Sequence, residues 1–424
     1  MTLWRIALFV VFALGAMYFT SKRRRLDFLT VGFFSAGIYF VPGFFGFARY
    51  PVPGTQIEWP LADATYIVML AVLSAILTGA ILYDLLPHRT SYEVTIPGSS
   101  YAGVFALMLG FAGVAVTAAT ARGALLNPDK AEVLASFGRW AILWEIGGSL
   151  ALLYLATRRR WWLAGMAALL LLFDLYIGIR VTAALAVIAL VTMGQEEKGR
   201  RRLLRSGLGL GAAAAVAGGF FLVYKHIFYF IKAGQWERAW ASLRDPQVYE
   251  TSITYAEPFL TQAILNEVLV TNFRVGMEHL RAVLFQFMFF APELGANAIS
   301  FNDLFQPALF PHAIGYGMAN NIWAQMWSAG GVPLLGAFIV IHVLMLIAGS
   351  RAMRIANREL RATAALLFSY WAFYIHRNDL LVEISYLKRI IVVAAIVLIA
   401  AVAMYDVAHR VRRRLGASQV PVRS

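Results

Sequence analysis

Four arginines lie where phosphate chemistry is the natural reading of a cation. Arg180 closes the apolar run ending in Tyr176-Ile-Gly-Ile-Arg180, and Arg377 sits in Tyr374-Ile-His-Arg-Asn-Asp379 at the end of another. Arg274 and Arg281 lie in the long polar stretch between such runs. A guanidinium is planar, permanently charged and forks onto two oxygens at once, so an arginine at membrane depth is a candidate anion site. Each position also has a plainer reading. Arg180 could snorkel or pair structurally with Asp174, residues 376–379 could be a solvated helix end, and Arg274 and Arg281 could be surface charges like Arg238 and Arg244.

A second group could handle hydroxyls and protons. His312 lies in a loop rich in glycine, and imidazole chemistry makes it a candidate general base. Glu250, Glu257 and Asp303 are carboxylate rivals in the same stretch. Asn320-Asn321 follow eight residues later, where they could hydrogen-bond a sugar or simply cap the next helix. The chain has no cysteine, which removes thiolate catalysis and Cys-ligated metals. It also has no phosphate-cradling glycine loop and no set of acids spaced for a metal, so neither cofactor nor metal is expected.

The elements that position these residues are membrane helices. Sixty percent of the 424 residues are hydrophobic and only 14% are charged, with a mean hydropathy of +0.67. A soluble domain of this length needs far more polar surface. Apolar runs near 3–20, 27–47, 63–86, 100–120, 138–157, 161–178, 181–194, 207–224, 319–348, 362–376 and 386–405 predict an all-α polytopic protein with about eleven crossings, judged against the roughly 20 residues that span hydrocarbon. The net charge of +14 is concentrated at 22–25, 158–160, 198–205, 351–361 and 410–414. Placing these clusters on the cytoplasmic side puts the N-terminus outside, the C-terminus inside and the stretch 225–318 outside, so the charge reads as topology rather than as nucleic-acid binding.

Four regions follow: an N-terminal bundle over 1–224, an extracytoplasmic cap over 225–318, C-terminal helices over 319–408 and a basic tail over 409–424. The cap has eight acids against six bases. Periodicity predicts helices at 257–270 and 275–290, and 224–233 reads as an interfacial helix. The stretch 292–311 is rich in loop formers.

The Gly178-Ile-Arg180 turn, Asn320-Asn321 with Gly330-Gly331 and Gly336 behind the long loop, and Arg377-Asn-Asp379 carry a family resemblance. The chain resembles bacterial O-antigen repeat-unit polymerases of the Wzy type and, more distantly, O-antigen ligases. Ligases show a histidine before the polar residue and spaced glycines, whereas here Asn320-Asn321 hold that place.

The resemblance implies a GT-C-like helical fold in the bacterial inner membrane and an inverting, metal-independent glycosyl transfer on its outer side. The donor would be a glycan on undecaprenyl diphosphate and the acceptor a second lipid-linked repeat unit, with a chain-length regulator as a further partner. Arg180, Arg274, Arg281, Arg377, Asn320 and Asn321 would bind diphosphate or sugar, with His312 as base and Glu250, Glu257 or Asp303 as alternatives. A transporter of lipid-linked or anionic solutes and a noncatalytic scaffold are the competing classes. A transporter should place polar groups midway along several spans.

Overall fold

The computed structural model describes residues 2–21, 26–52, 55–86, 92–121, 127, 132–133, 136, 140–197, 224, 227–249, 256–286, 298–313 and 318–417. It is a helical membrane protein. Among the described residues five helices are long and apolar enough to cross a bilayer: Leu3–Thr20, Asp63–Leu85, Ser99–Ala121, Ile322–Ala352 and Leu380–Val411. Shorter apolar helices occupy Phe28–Tyr39, Ala141–Thr157, Trp161–Tyr176 and Val181–Gly194. The run at 207–223 lies outside the described residues. The chain divides into two compact units, one of Met1–Arg89, Gly194–Arg351 and Phe368–Lys388, the other of Thr90–Met193, Ala352–Leu367 and Arg389–Ser424.

In the first unit, α1 (Leu3–Thr20) and α4 (Asp63–Leu85) flank α2 (Phe28–Tyr39) and the short α3 (Val41–Phe45). The expected run 27–47 is therefore broken near Phe40 and Val41. It leads into a feature that a helical reading does not contain, an antiparallel hairpin of β1 (Phe47–Val52) and β2 (Thr55–Pro60). Its register sets Arg49 opposite Glu58, and the two side chains pair at 2.6 Å. Phe47 packs 5.8 Å from Phe259 and Trp59 stacks 6.2 Å from Phe310, so the hairpin is pinned to the polar stretch rather than to the bundle alone.

In the second unit, α5 (Ala102–Ala121), α6 (Ala141–Thr157) and α7 (Trp161–Tyr176) pack through small residues, and α8 (Val181–Glu197) follows. A Cβ at Gly113 would lie 2.8 Å from the Trp144 backbone nitrogen, so the α5–α6 approach admits no side chain there. The turn between α7 and α8 uses Gly178 at φ +91°. Asp174 braces it, accepting from Trp144 Nε1 and, at 2.6 Å, from Thr182 Oγ1.

Of the polar stretch, α9 (Trp236–Arg244), α10 (Glu257–Val270), α11 (Gly276–Phe285) and α12 (Phe301–Leu309) are helical. The periodic segments 257–270 and 275–290 thus form helices, the second over Gly276–Phe285, with 287–290 outside the described residues. Yet α10 is interior rather than amphipathic: Thr261 and Gln262 are fully buried among its apolar residues. Part of the expected loop 292–311 is α12, because Ser300 caps it through Asn302 N.

The decisive departure is in α13 (Ile322–Ala352). Gly330 (φ −149°, ψ 15°) and Gly331 (φ 66°, ψ −155°) break it. The second of these conformations is essentially open only to glycine. Trp323 then packs 5.8 Å from Phe338 and 5.5 Å from His342. In an unbroken helix Trp323 and His342 would stand roughly 28 Å apart, so the chain reverses at the glycine pair. The piece 322–329 is a half-helix folded back on 332–352, and the latter alone, at about 30 Å, is long enough to span. Gly79 abuts Val343, where a Cβ would meet a methyl at 2.3 Å, fixing α4 beside this longer piece.

The last two helices are α14 (Arg358–Tyr374) and α15 (Leu380–Ala417).

Candidate functional site

The first unit gathers its polar side chains where α10, α11, α12 and the half-helix 322–329 meet the turn between α14 and α15. Asp379 is the hub. One carboxylate oxygen caps α15 by accepting from Val382 N at 2.8 Å; the other accepts from Ser300 Oγ at 2.7 Å and Phe301 N at 2.8 Å. A single carboxylate thus satisfies orphan amides at the starts of two helices, and its negative charge suits both helix N-termini. Asp379 and His376 are fully buried, which overturns the reading of 376–379 as a solvated helix end.

Asn321 does the same for the half-helix. Its Oδ1 accepts from Trp323 N at 3.0 Å and Ala324 N at 3.1 Å, while its amide donates to the Thr261 carbonyl at 2.9 Å. Wholly enclosed and occupied at both ends, Asn321 is a helix cap, the plainer of its two sequence readings. Asn320 lies at the edge and donates to Ser300 Oγ at 3.4 Å.

Arg377 leaves the buried turn and meets Glu257 at the start of α10, Nε to Oε2 at 3.0 Å, with both side chains 30% exposed. Its guanidinium lies 5.9 Å from the Tyr374 ring centre. This pair is partly open and joined to a rigid node, so a guanidinium edge is presented without freedom to wander. The depth is informative. His376, one residue away, accepts from Trp323 Nε1 at 3.1 Å and packs 5.8 Å from His342, about midway along 332–352. Irregular backbone at such depth persists only where protein buries it or where it lines a wet cavity.

Arg274 has a different job. Its Nη1 donates to the Trp327 carbonyl at 2.5 Å, its Nε donates to Asn272 Oδ1 at 3.0 Å, and its guanidinium lies 4.9 Å from the Trp327 ring centre. It covers the carbonyl end of the half-helix just before the break, where a cation suits the helix dipole. Arg281 is exposed and faces Phe285 at 5.6 Å. His312 stands exposed in the single turn Pro311–Ala313, with no hydrogen bond or ion pair among the described residues, and Asp303 is exposed in the first turn of α12. Glu250 lies outside the described residues. Arg180 belongs to the second unit, two residues beyond Gly178 in the turn that Asp174 braces.

Three participants were not singled out from the sequence: Ser300, Gln325 and His279. Gln325 is fully buried; its Oε1 accepts from Leu380 N at 2.8 Å and its Nε2 lies 3.0 Å from His279 Nε2. A glutamine inside the apolar run Ile322-Trp-Ala-Gln-Met was the available signal, since a polar side chain at membrane depth needs partners. Burial lowers the His279 pKa, with the nearby Asp379 charge opposing it. Among the described residues no group of three histidines or acids is placed to hold a metal ion.

No family model, curated protein or solved structure matches this chain.

Proposed function

We propose that the chain is a glycosyltransferase of the outer face of a bacterial inner membrane, polymerising glycans carried on undecaprenyl diphosphate. The observation that carries this reading is the Arg377–Glu257 pair, a partly open guanidinium and carboxylate held side by side against a rigid polar node. Transfer needs those two functions. The acceptor hydroxyl oxygen attacks the anomeric carbon as the bond to the diphosphate oxygen breaks with inversion; the hydroxyl proton passes to a base and the diphosphate leaves with its charge. Arg377 stabilises that developing charge. Of the candidate bases among the described residues Glu257 is the one beside a donor-site arginine, and its Oε1 takes the proton in this scheme.

The test is reconstitution of the purified full chain with a polyprenyl-diphosphate-linked repeat unit. Wild type should lengthen the glycan and release polyprenyl diphosphate, and Arg377→Ala should do neither. Unchanged glycan with wild type would overturn the reading.

One observation favours a second reading, a transporter of an anionic solute. The half-helix 322–329 reverses at Gly330-Gly331, and discontinuous helices meeting polar side chains midway along a span are how many transporters build a binding site. Uptake or efflux of the lipid-linked glycan by proteoliposomes, without chain lengthening, would select it.

A further inference from the structure

The surroundings of His279, like those of His376, fix the place of the ring proton. The Leu380 backbone N–H can only donate and meets Gln325 Oε1 at 2.8 Å, so the other end of that amide, 3.0 Å from the ring, is the NH2 group. An NH2 group can only donate as well. His279 Nε2 must therefore offer its lone pair, and the proton of the neutral ring resides on Nδ1. Among the described residues Nδ1 has no hydrogen-bond partner, and it is not one of the polar atoms sealed from solvent. The ring itself is held by Phe301, 6.3 Å between centres, and by the Gln325 bond.

We propose that His279 Nδ1–H is a fixed donor for a phosphoryl oxygen of the bound substrate, a site that rests on the proposed use of a diphosphate-linked donor. A group that can only donate is matched best by an atom that can only accept; phosphoryl oxygens have lone pairs and no proton, whereas a sugar hydroxyl brings a hydrogen of its own. His279 is excluded as the general base, because the lone pair a base would use is already engaged by Gln325. Burial lowers its pKa, in the same direction as the neutral ring that the Gln325 bond requires.

The experiment uses the full chain in nanodiscs with nitrogen-15 histidine, all seven histidines being visible and His279 assigned by its loss in His279→Asn. The expected His279 signal is the neutral Nδ1–H tautomer. Farnesyl diphosphate and inorganic pyrophosphate should both shift it, a methyl hexopyranoside should not, and Gln325→Leu should release the ring to the other tautomer. In glycan-lengthening assays His279→Asn, which keeps an N–H at the δ position, should stay within about tenfold of wild type, whereas His279→Gln should lose on the order of 10². An Nε2–H tautomer in wild type, no shift with either diphosphate, or a shift with the glycoside alone would each overturn the site. A diphosphate shift in a protein that never lengthens a glycan would leave this site standing and remove the polymerase reading.

Discussion

Trp323 and His342 are nineteen residues apart in sequence, yet their rings lie 5.5 Å apart and nearly perpendicular. What hydropathy presents as one long span is a half-helix folded back along a full one, and this brings Asn321, Gln325 and the α14–α15 turn together. The chain lacks cysteine, so a pair introduced at Trp323 and Phe338 is free of background. A short bifunctional thiol reagent should join that pair, and loss of the bridging should accompany unfolding. Positions about 22 Å apart, as on a straight helix, would not be joined.

Gly331 makes the reversal. Its φ of +66° with ψ of −155° is strained for any residue with a Cβ, and Arg274 Nη1 would lie 3.3 Å from that Cβ. Gly331→Ala should cost about 1–3 kcal/mol, read as a lower thermal midpoint in detergent. Arg274→Ala should also lower the midpoint, since the Trp327 carbonyl loses its donor, whereas Arg281→Ala should leave it within error.

The sequence made the helical membrane class legible because apolar composition and run length are direct consequences of the solvent a span must face. It also marked 257–270 and 275–290 as helices, and Arg377 as a residue worth testing. Tertiary geometry was not legible. Gly330-Gly331 was visible as a pair, but whether two glycines kink, reverse or merely pack depends on which partners lie beyond them. His312 drew notice by residue type and loop context and stands exposed, while His279 was passed over among ordinary helix residues. Its importance comes from Gln325 and Leu380, which are 46 and 101 positions away.

Asp379 offers a stability test of the node. Asp379→Asn keeps one acceptor oxygen but turns an NH2 group toward donors that the second oxygen now serves, either Ser300 and Phe301 or Val382. A buried donor left facing another donor typically costs roughly 1–3 kcal/mol. The midpoint should fall accordingly, and Ser300→Ala in the same protein should add less than its separate effect, because the two share one interaction. Fully additive losses would show that the hub is not shared.

The pH dependence of stability has a definite sign at His279. Its folded pKa lies below the ordinary value, chiefly through burial, so the folded ring stays neutral while the unfolded ring takes up a proton. Stability attributable to this group is complete above about pH 6.5 and is lost as pH falls below it, toward the lower folded pKa. His279→Gln should flatten the acid side of the midpoint-against-pH curve relative to wild type. A steeper acid limb in the variant would mean that the folded ring prefers to be charged.

Arg377 and Glu257 provide the sharpest test of chemistry because their ion pair can be separated from their proposed roles. As a partly open pair, 30% exposed on each side, it contributes about 1 kcal/mol to stability, so single substitutions should leave protein levels close to wild type. Transfer should respond far more. Arg377→Ala removes the charge facing the departing diphosphate and should lower glycan lengthening by about 10²–10³. Arg377→Lys should recover only part, since an ammonium keeps the charge but loses the planar fork. Glu257→Gln keeps the shape and removes the base, so a loss of roughly 10²–10⁴ in turnover with little change in KM is expected. Exchanging the two, Arg377→Glu with Glu257→Arg, should restore the ion pair and not the activity. Near-normal chain lengths in Glu257→Gln would assign the proton to His312 or Asp303, and near-normal lengths in Arg377→Ala would remove the donor site from this place in the fold.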